Sequence, residues 1–285
     1  MSQWISRVAV VTAVSSGVGS AIAKDLATVG MTVVGLTTSS KQLKDFKNTL
    51  PKEVSDNLHL SLCDLQSREE ISKTFAQIEE KFGGTDVLVN NAMFRDFSFR
   101  IFEQKTFAKI RNTYDTNILG LTLCTREALE SMKRRSVGGH IISINSFAES
   151  VARQKRKTLP STRFAVNVLA EMYREENPGV KVTNIDTRFV AKGDADEPYL
   201  DTQDICQTVR FVLQTSPNVN AESVSLAQHL FAPRHGQSAS FGDVGGIGAP
   251  PLQGNPSPWH QVQFIPGESS ITLNKTPSHG RSINP

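Results

Sequence analysis

The chain runs to 285 residues, of which 38% are hydrophobic and 21% charged, and its formal net charge is +3 at pH 7. That length buries one large core, and that charge gives no bias toward nucleic acid or membrane surfaces, so neither partner is expected. Cys63, Cys124 and Cys206 stand far apart with no CxxC pair, which argues against a disulfide framework or a zinc site and points to the reducing cytosol.

The first apolar stretch, Val8 to Val14, is far below the roughly 20 residues of a membrane span. It also lacks the h-region and cleavage site of a signal peptide, so a cytoplasmic protein is expected. Val8-Ala-Val-Val-Thr12 predicts a strand, and Ser20 to Val29 a helix. Between them lies the turn Ala13, Val14, Ser15, Ser16, Gly17, Val18, Gly19, where an open α/β sheet places a dinucleotide. Gly17 and Gly19 let the backbone approach a pyrophosphate closely, Ser15 and Ser16 add hydroxyl donors, and the helix start supplies unpaired N–H groups. Taken alone, such a turn would also serve as a plain strand-to-helix connection.

A second strand, Thr32 to Leu36, runs into Thr37 and Thr38 with no acidic residue to hold a ribose 2′-OH. This disfavours NAD and leans toward NADP, although no arginine is present for a 2′-phosphate and Lys41 reads more simply as a solvated helix-start lysine. A helix over Gln42 to Leu50 and a strand over Leu58 to Leu62 follow, and then Asp64 and Leu65. Next come a helix around Glu69 to Phe82, the strand Val87 to Val89 ending in Asn90-Asn91-Ala92, and a long helix from about Phe102 to Met132. The strand His140 to Ile144 leads to Ser146. A helix from about Pro160 to Glu175, a strand from Lys181 to Ile185, a helix from about Thr202 to Leu213 and a strand near Glu222 to Leu226 complete the pattern.

Helices alternating with about seven strands predict a Rossmann-type, doubly wound parallel sheet covered on both faces. Asp64, Asn90, Asn91, Ala92 and Ser146 then all fall at its carboxyl edge, where ligands sit. Residues 1–231 are expected to form this domain. Residues 232–285 change character: Gly, Pro and Ser crowd together through Gly245 to Pro251, too little apolar surface is left to offset ordering entropy, and a disordered tail is expected. Trp259, Phe264 and Ile265 are the residues in it suited to docking.

Trp4 and the motifs Arg7-Val-Ala-Val-Val-Thr12, Asp86-Val-Leu-Val-Asn-Asn-Ala92, Asp115-Thr-Asn-Ile-Leu-Gly120 and Cys124-Thr-Arg-Glu-Ala-Leu129 together resemble the short-chain dehydrogenase/reductase family over roughly residues 5–230, and within it insect farnesol-dehydrogenase-like members. The resemblance implies that Asp64 and Leu65 contact adenine, that Asn90-Asn91-Ala92 lines the cofactor cleft, and that Asn117 and Ser146 belong to the catalytic tetrad. On residues alone, Ser146 would equally end a strand and Asn117 would equally satisfy helix backbone.

In that family a tyrosine transfers the hydroxyl proton, and a lysine four residues later holds the nicotinamide ribose and lowers the tyrosine pKa. Thirteen residues beyond Ser146 the chain has Leu159, and four further Arg163; Leu159-Pro-Ser-Thr-Arg-Phe-Ala165 matches the family pattern closely enough to set the register. Leucine has no exchangeable proton, and losing positioned acid–base help costs about 10²- to 10⁴-fold in rate. Arg163 keeps a charge for a ribose hydroxyl but has a pKa too high for proton relay. Tyr173 lies fourteen residues along the same helix, roughly 20 Å away at about 1.5 Å per residue. Tyr114 is expected in a helix interface, and Tyr199 is the remaining substitute. Ala13 and Met93 also stand where the family has glycines, and Thr187-Arg188 where it has Pro-Gly. The segment from Val190 to Thr202 is shorter than the family's substrate cover. The run Arg153-Gln-Lys-Arg-Lys157 reads as a solvated loop.

The expectation is therefore a member with impaired or absent catalysis, residual NADP(H) binding, and a homodimer or a heterodimer with a related chain. The long helices carrying Phe107, Ile110, Tyr114, Ile118, Leu121, Phe164 and Val168 are those that pair subunits in relatives. The alternative is an active NADP-dependent oxidoreductase acting on a small apolar alcohol or carbonyl, and a third reading makes the tail an interaction segment.

Overall fold

The computed structural model describes residues 1–15, 17–48, 50–94, 106–146, 158–187 and 200–226, which lie within one compact unit, Met1–Ala232. Ser146, Thr158, Leu159 and Pro160 are described by backbone alone. Ser16, the start of the long helix at Phe102, the run Arg153–Lys157, Arg188, Val190, Tyr199 and the tail from 232 lie outside the described residues.

Seven parallel strands form the sheet: β1 (Val8–Thr12), β2 (Thr32–Thr37), β3 (Leu58–Leu62), β4 (Val87–Asn90), β5 (His140–Ser146), β6 (Lys181–Thr187) and β7 (Ser223–Leu226). Their order is β3-β2-β1-β4-β5-β6-β7, so the direction of winding reverses between β1 and β4, as a doubly wound fold requires. β1 and β4 are buried along their whole length, which is why both read as unbroken apolar runs instead of alternating ones.

Successive side chains of each strand point to opposite faces, and two cores result. On one face Ala9 and Val11 of β1 pack with Ile22 and Leu26 of α1 (Gly17–Thr28) and with Ile205 and Val209 of the last helix (Thr202–Gln214). On the other, Val10, Val34, Leu88 and Ile141 pack with residues of the helices Arg68–Phe82, Leu121–Arg134 and Thr158–Glu176.

In chain order the helices after α1 are α2 (Ser40–Asn48), α3 (Lys52–Ser55), α4 (Arg68–Phe82), α5 (Phe107–Tyr114), α6 (Leu121–Arg134), α7 (Thr158–Glu176) and α8 (Thr202–Gln214). α4 starts where the Ser67 side chain accepts from the Glu70 N–H, places Glu69 and Glu70 in its first turn, and stops at Gly83, whose φ of 80° is left-handed.

The structure corrects several expected elements. The helix expected over Gln42 to Leu50 is α2, Ser40–Asn48, and a further short helix that was not expected, α3, follows it with Pro51 just before its first residue. The single long helix expected to Met132 is interrupted by a π-helical turn at Asp115–Gly120. Such turns are rare and concentrate at functional sites. A 3₁₀ turn, Ser2–Trp4, was not expected; Trp4 is buried and its Nε1 donates to the Leu213 carbonyl at 2.6 Å, covering the end of α8.

Candidate functional site

The carboxyl edge at the β1/β4 switch point gathers most of the residues singled out in the sequence. Thr12 ends β1 with a buried hydroxyl that accepts from the Asn91 N–H at 3.0 Å and the Ala92 N–H at 2.9 Å. Asn91 returns its Nδ2 to the carbonyls of Thr12 (3.0 Å) and Ala13 (3.3 Å). The exits of β1 and β4 are thereby clamped face to face. Asn90, also buried, donates Nδ2 to Thr125 Oγ1 of α6 at 2.9 Å.

Within the turn, Gly17 has φ +61° and Gly19 sits so close that a Cβ there would collide with the Ala13 carbonyl and Asn91 Nδ2. The two glycines are thus required for different reasons, one for backbone angle and one for approach. Ala13 also has positive φ, 57°, a conformation that costs an alanine about 1–2 kcal/mol. Val14 is buried on Gly35, where any Cβ would lie 2.6 Å from its Cγ2. Ser15 and Val18 flank this turn half-exposed.

Farther along the edge, Thr37 is buried and accepts from the Ser39 N–H at 3.3 Å, while Thr38 and Lys41 are exposed. Asp64 is exposed; its Oδ1 accepts from the Gln66 N–H at 2.9 Å and its own N–H donates to Glu70 Oε2 at 2.7 Å. Leu65 is buried in the core.

Asn117 lies in the π-helical turn with 2% of its surface exposed. Its Oδ1 accepts from the Phe94 N–H at 2.7 Å, and its Nδ2 donates to the Phe94 carbonyl at 3.2 Å and to Thr162 Oγ1 at 3.3 Å. The side chain therefore fixes the loop leaving β4 and ties it to α7. It does not serve its own helix, as a purely local reading would have it.

Ser146 ends β5, and Leu159 and Arg163 lie one turn apart on α7, a spacing that sets both on one stripe of the helix. Arg163 is 3% exposed and its Nη1 donates to Asn145 Oδ1 at 3.2 Å. The Tyr114 hydroxyl shares a 2.9 Å hydrogen bond with Ser161 of α7. Tyr173 is buried deep in the α7 core, where desolvation raises its pKa.

Among the described residues no cluster of His, Cys, Asp and Glu could hold a metal, and no helix is long and apolar enough to cross a membrane. All three cysteines are free and buried, and burial pushes the Cys124 and Cys206 thiols up.

A sequence model of the short chain dehydrogenase family matches residues 7–202. The chain belongs to that family. It is similar to a farnesol dehydrogenase of Aedes aegypti, 36% identical over 242 residues that cover 79% of this chain and 97% of the relative. It is also similar to dehydrogenase/reductase SDR family member 11 of Mus musculus, 29% identical over 79% of this chain and 95% of that one. The fold is shared with an alcohol dehydrogenase of the archaeon Thermococcus sibiricus complexed with 5-hydroxy-NADP, with TM-score 0.69 at 24% identity over 80% of this chain and 99% of that one. Serine dehydrogenase from Escherichia coli is similar at TM-score 0.67 and 25% identity, over 77% and 96% of the two chains.

As a short-chain dehydrogenase scaffold the site holds two features that sequence reasoning missed. One is the Thr12–Asn91 clamp, whose partners lie 79 positions apart and carry no local signal. The other is the polar layer of Asn145, Asn167, Asn184 and Asp186 under Arg163; Asn145-Ser146 and Lys181-Val-Thr-Asn-Ile-Asp186 show polar residues inside buried strands, which was the available signal.

Proposed function

We propose that this member of the short-chain dehydrogenase family binds NADP(H) weakly, is catalytically impaired or inactive, and acts in the cytoplasm through dimerisation or regulation. What supports the reading is the sequence Leu159-Pro-Ser-Thr-Arg-Phe-Ala165 on α7, in which Leu159 stands where the family has its proton-transferring tyrosine and Arg163 where it has its lysine. An aliphatic group holds no proton to give or accept at neutral pH.

The two ends of the cleft fit a dinucleotide differently. At the phosphate end, the proposed cradle is the turn Ala13, Val14, Ser15, Ser16, Gly17, Val18, Gly19 with the start of α1; the open space beside Gly17 and the close packing of Gly19 against Ala13 and Asn91 support it. Thr37, Thr38, Asp64, Leu65, Asn90, Asn91 and Ala92 line the rest of the proposed binding edge, and Thr37-Thr38 without a carboxylate supports NADP over NAD. At the nicotinamide end, Asn117 and Ser146 remain, but no acid or base stands at Leu159. Bound there, a nicotinamide would supply a hydride acceptor or donor; the chain would supply position, not the proton.

The 36% identity to a farnesol dehydrogenase supports a second reading, an active NADP-dependent oxidoreductase acting on the CH–OH group of small apolar, farnesol-like alcohols or their carbonyls. A thermal-shift titration tests the cofactor half of both, because a ligand of the folded state stabilises by RT ln(1 + [L]/Kd). Millimolar NADPH is expected to raise Tm by about 1–4 °C, more than NADH does. No rise with either cofactor would remove the binding claim and leave a scaffold.

A further inference from the structure

Arg163 belongs to a layer of polar side chains sealed between α7 and the sheet. Asn145 and Asp186 are register partners on adjacent strands, so their side chains share a face about 4.8 Å apart along the hydrogen-bonding direction. They are 1% and 9% exposed. Asn145 accepts from Arg163 Nη1 at 3.2 Å and donates Nδ2 to the Arg163 carbonyl at 3.3 Å and to Asn167 Oδ1 at 2.9 Å, so both ends of the residue are held. Asp186 accepts from Ser223 Oγ of β7 at 3.3 Å. Burial raises the Asp186 carboxyl, while the Ser223 hydrogen bond, the Arg163 charge and an Asn145 hydrogen bond pull it down. Asn145 thus stands between a buried cation, held by a hydrogen bond, and a buried carboxyl, its register partner on the next strand.

We propose that Arg163, Asn145 and Asp186 form a buried charged triad that docks α7 on β5 and β6, so that Arg163 is a structural cation of the fold and not a cofactor contact. A guanidinium suits this task better than an ammonium, because its planar fork serves several acceptors at once and is less strongly hydrated. The inference rests on the α7 register used above but not on the loss of catalysis. It explains how a lysine position can change to arginine without leaving a free charge in the cleft.

The test is thermal unfolding of the full chain as wild type, Arg163→Met, Asp186→Asn and the double variant, each with and without NADPH. Removing one member of a buried pair is strongly destabilising, whereas removing both is far better tolerated, so each single variant is expected to lose on the order of 10 °C in Tm and the double variant clearly less than the sum. The rise caused by NADPH is expected to persist in Arg163→Met. Should that variant not fold, Arg163→Lys, which keeps the charge and loses the fork, is expected to fold with a smaller loss that Asp186→Asn does not add to in full. Additive losses, a Tm of Arg163→Met within about 2 °C of wild type, or an NADPH rise erased with the apo Tm intact, would each overturn the triad. A wild type that shows no NADPH rise defeats the proposed cofactor binding instead, and the coupling between variants still decides this inference.

Discussion

Ala13 and His140 show how single residues carry cost in this fold. Ala13 occupies a left-handed conformation that glycine adopts freely, so Ala13→Gly is expected to raise stability by about 0.5–1 kcal/mol once the greater freedom of the unfolded glycine is counted. Urea unfolding measures it; a loss of stability would show that the alanine methyl packs usefully. His140 is fully buried between β5 and β6, with Nε2 on Thr183 Oγ1 at 2.8 Å, and burial followed by the Lys181 charge lowers its pKa from 6.5 to about 3. Between those values the unfolded imidazole binds a proton and the folded one does not. Its contribution is therefore complete above pH 6.5 and lost progressively as pH falls toward 3, with a slope of up to about 1.4 kcal/mol per pH unit. His140→Gln keeps a hydrogen-bonding group without the titration, so its unfolding free energy is expected to fall less steeply from pH 6.5 to 5. Equal slopes for the two proteins would assign the acid sensitivity elsewhere.

At the scale of elements, the strands and most helices were legible because their causes are local. β-branched runs marked β1, β2, β4 and β6, and Ser67 with Glu70 and Gly83 marked both ends of α4. The π-helical turn was not legible, since its cause is tertiary: Asn117 turns its side chain to the Phe94 backbone, and nothing within Asp115–Gly120 announces that partner. The helix faces give the dimer proposal its support. Phe107 of α5 is 75% exposed and Val168 of α7 is 65% exposed, with Phe164 also exposed, whereas Leu121 is buried and Ile110 and Ile118 are half-buried in the chain itself. Large apolar side chains left outside on neighbouring helices favour a partner of like shape. Phe164→Glu with Val168→Glu is expected to convert a dimer to a folded monomer in sedimentation velocity. A wild type that is monomeric at tens of micromolar would remove this reading.

For the whole molecule, the doubly wound sheet brings the β1–α1 turn and the start of α7 to one edge, where the proposal puts a phosphate cradle and an altered proton-transfer position, and the two were legible to different degrees. The turn from Ala13 to Gly19, the Asn90–Ala92 corner and the α7 register are contiguous in sequence and could be read there. The triad beneath Arg163 joins β5, β6 and α7, and only the packed sheet brings Asn145 and Asp186 into register. A retained scaffold without its proton donor is tested by turnover of prenyl and medium-chain alcohols with NADP by wild type and by Leu159→Tyr/Arg163→Lys. Wild type is expected to show no turnover above background, and the double variant to gain at least about 10²-fold. Wild-type turnover that Ser146→Ala abolishes would contradict the claim and establish a working enzyme.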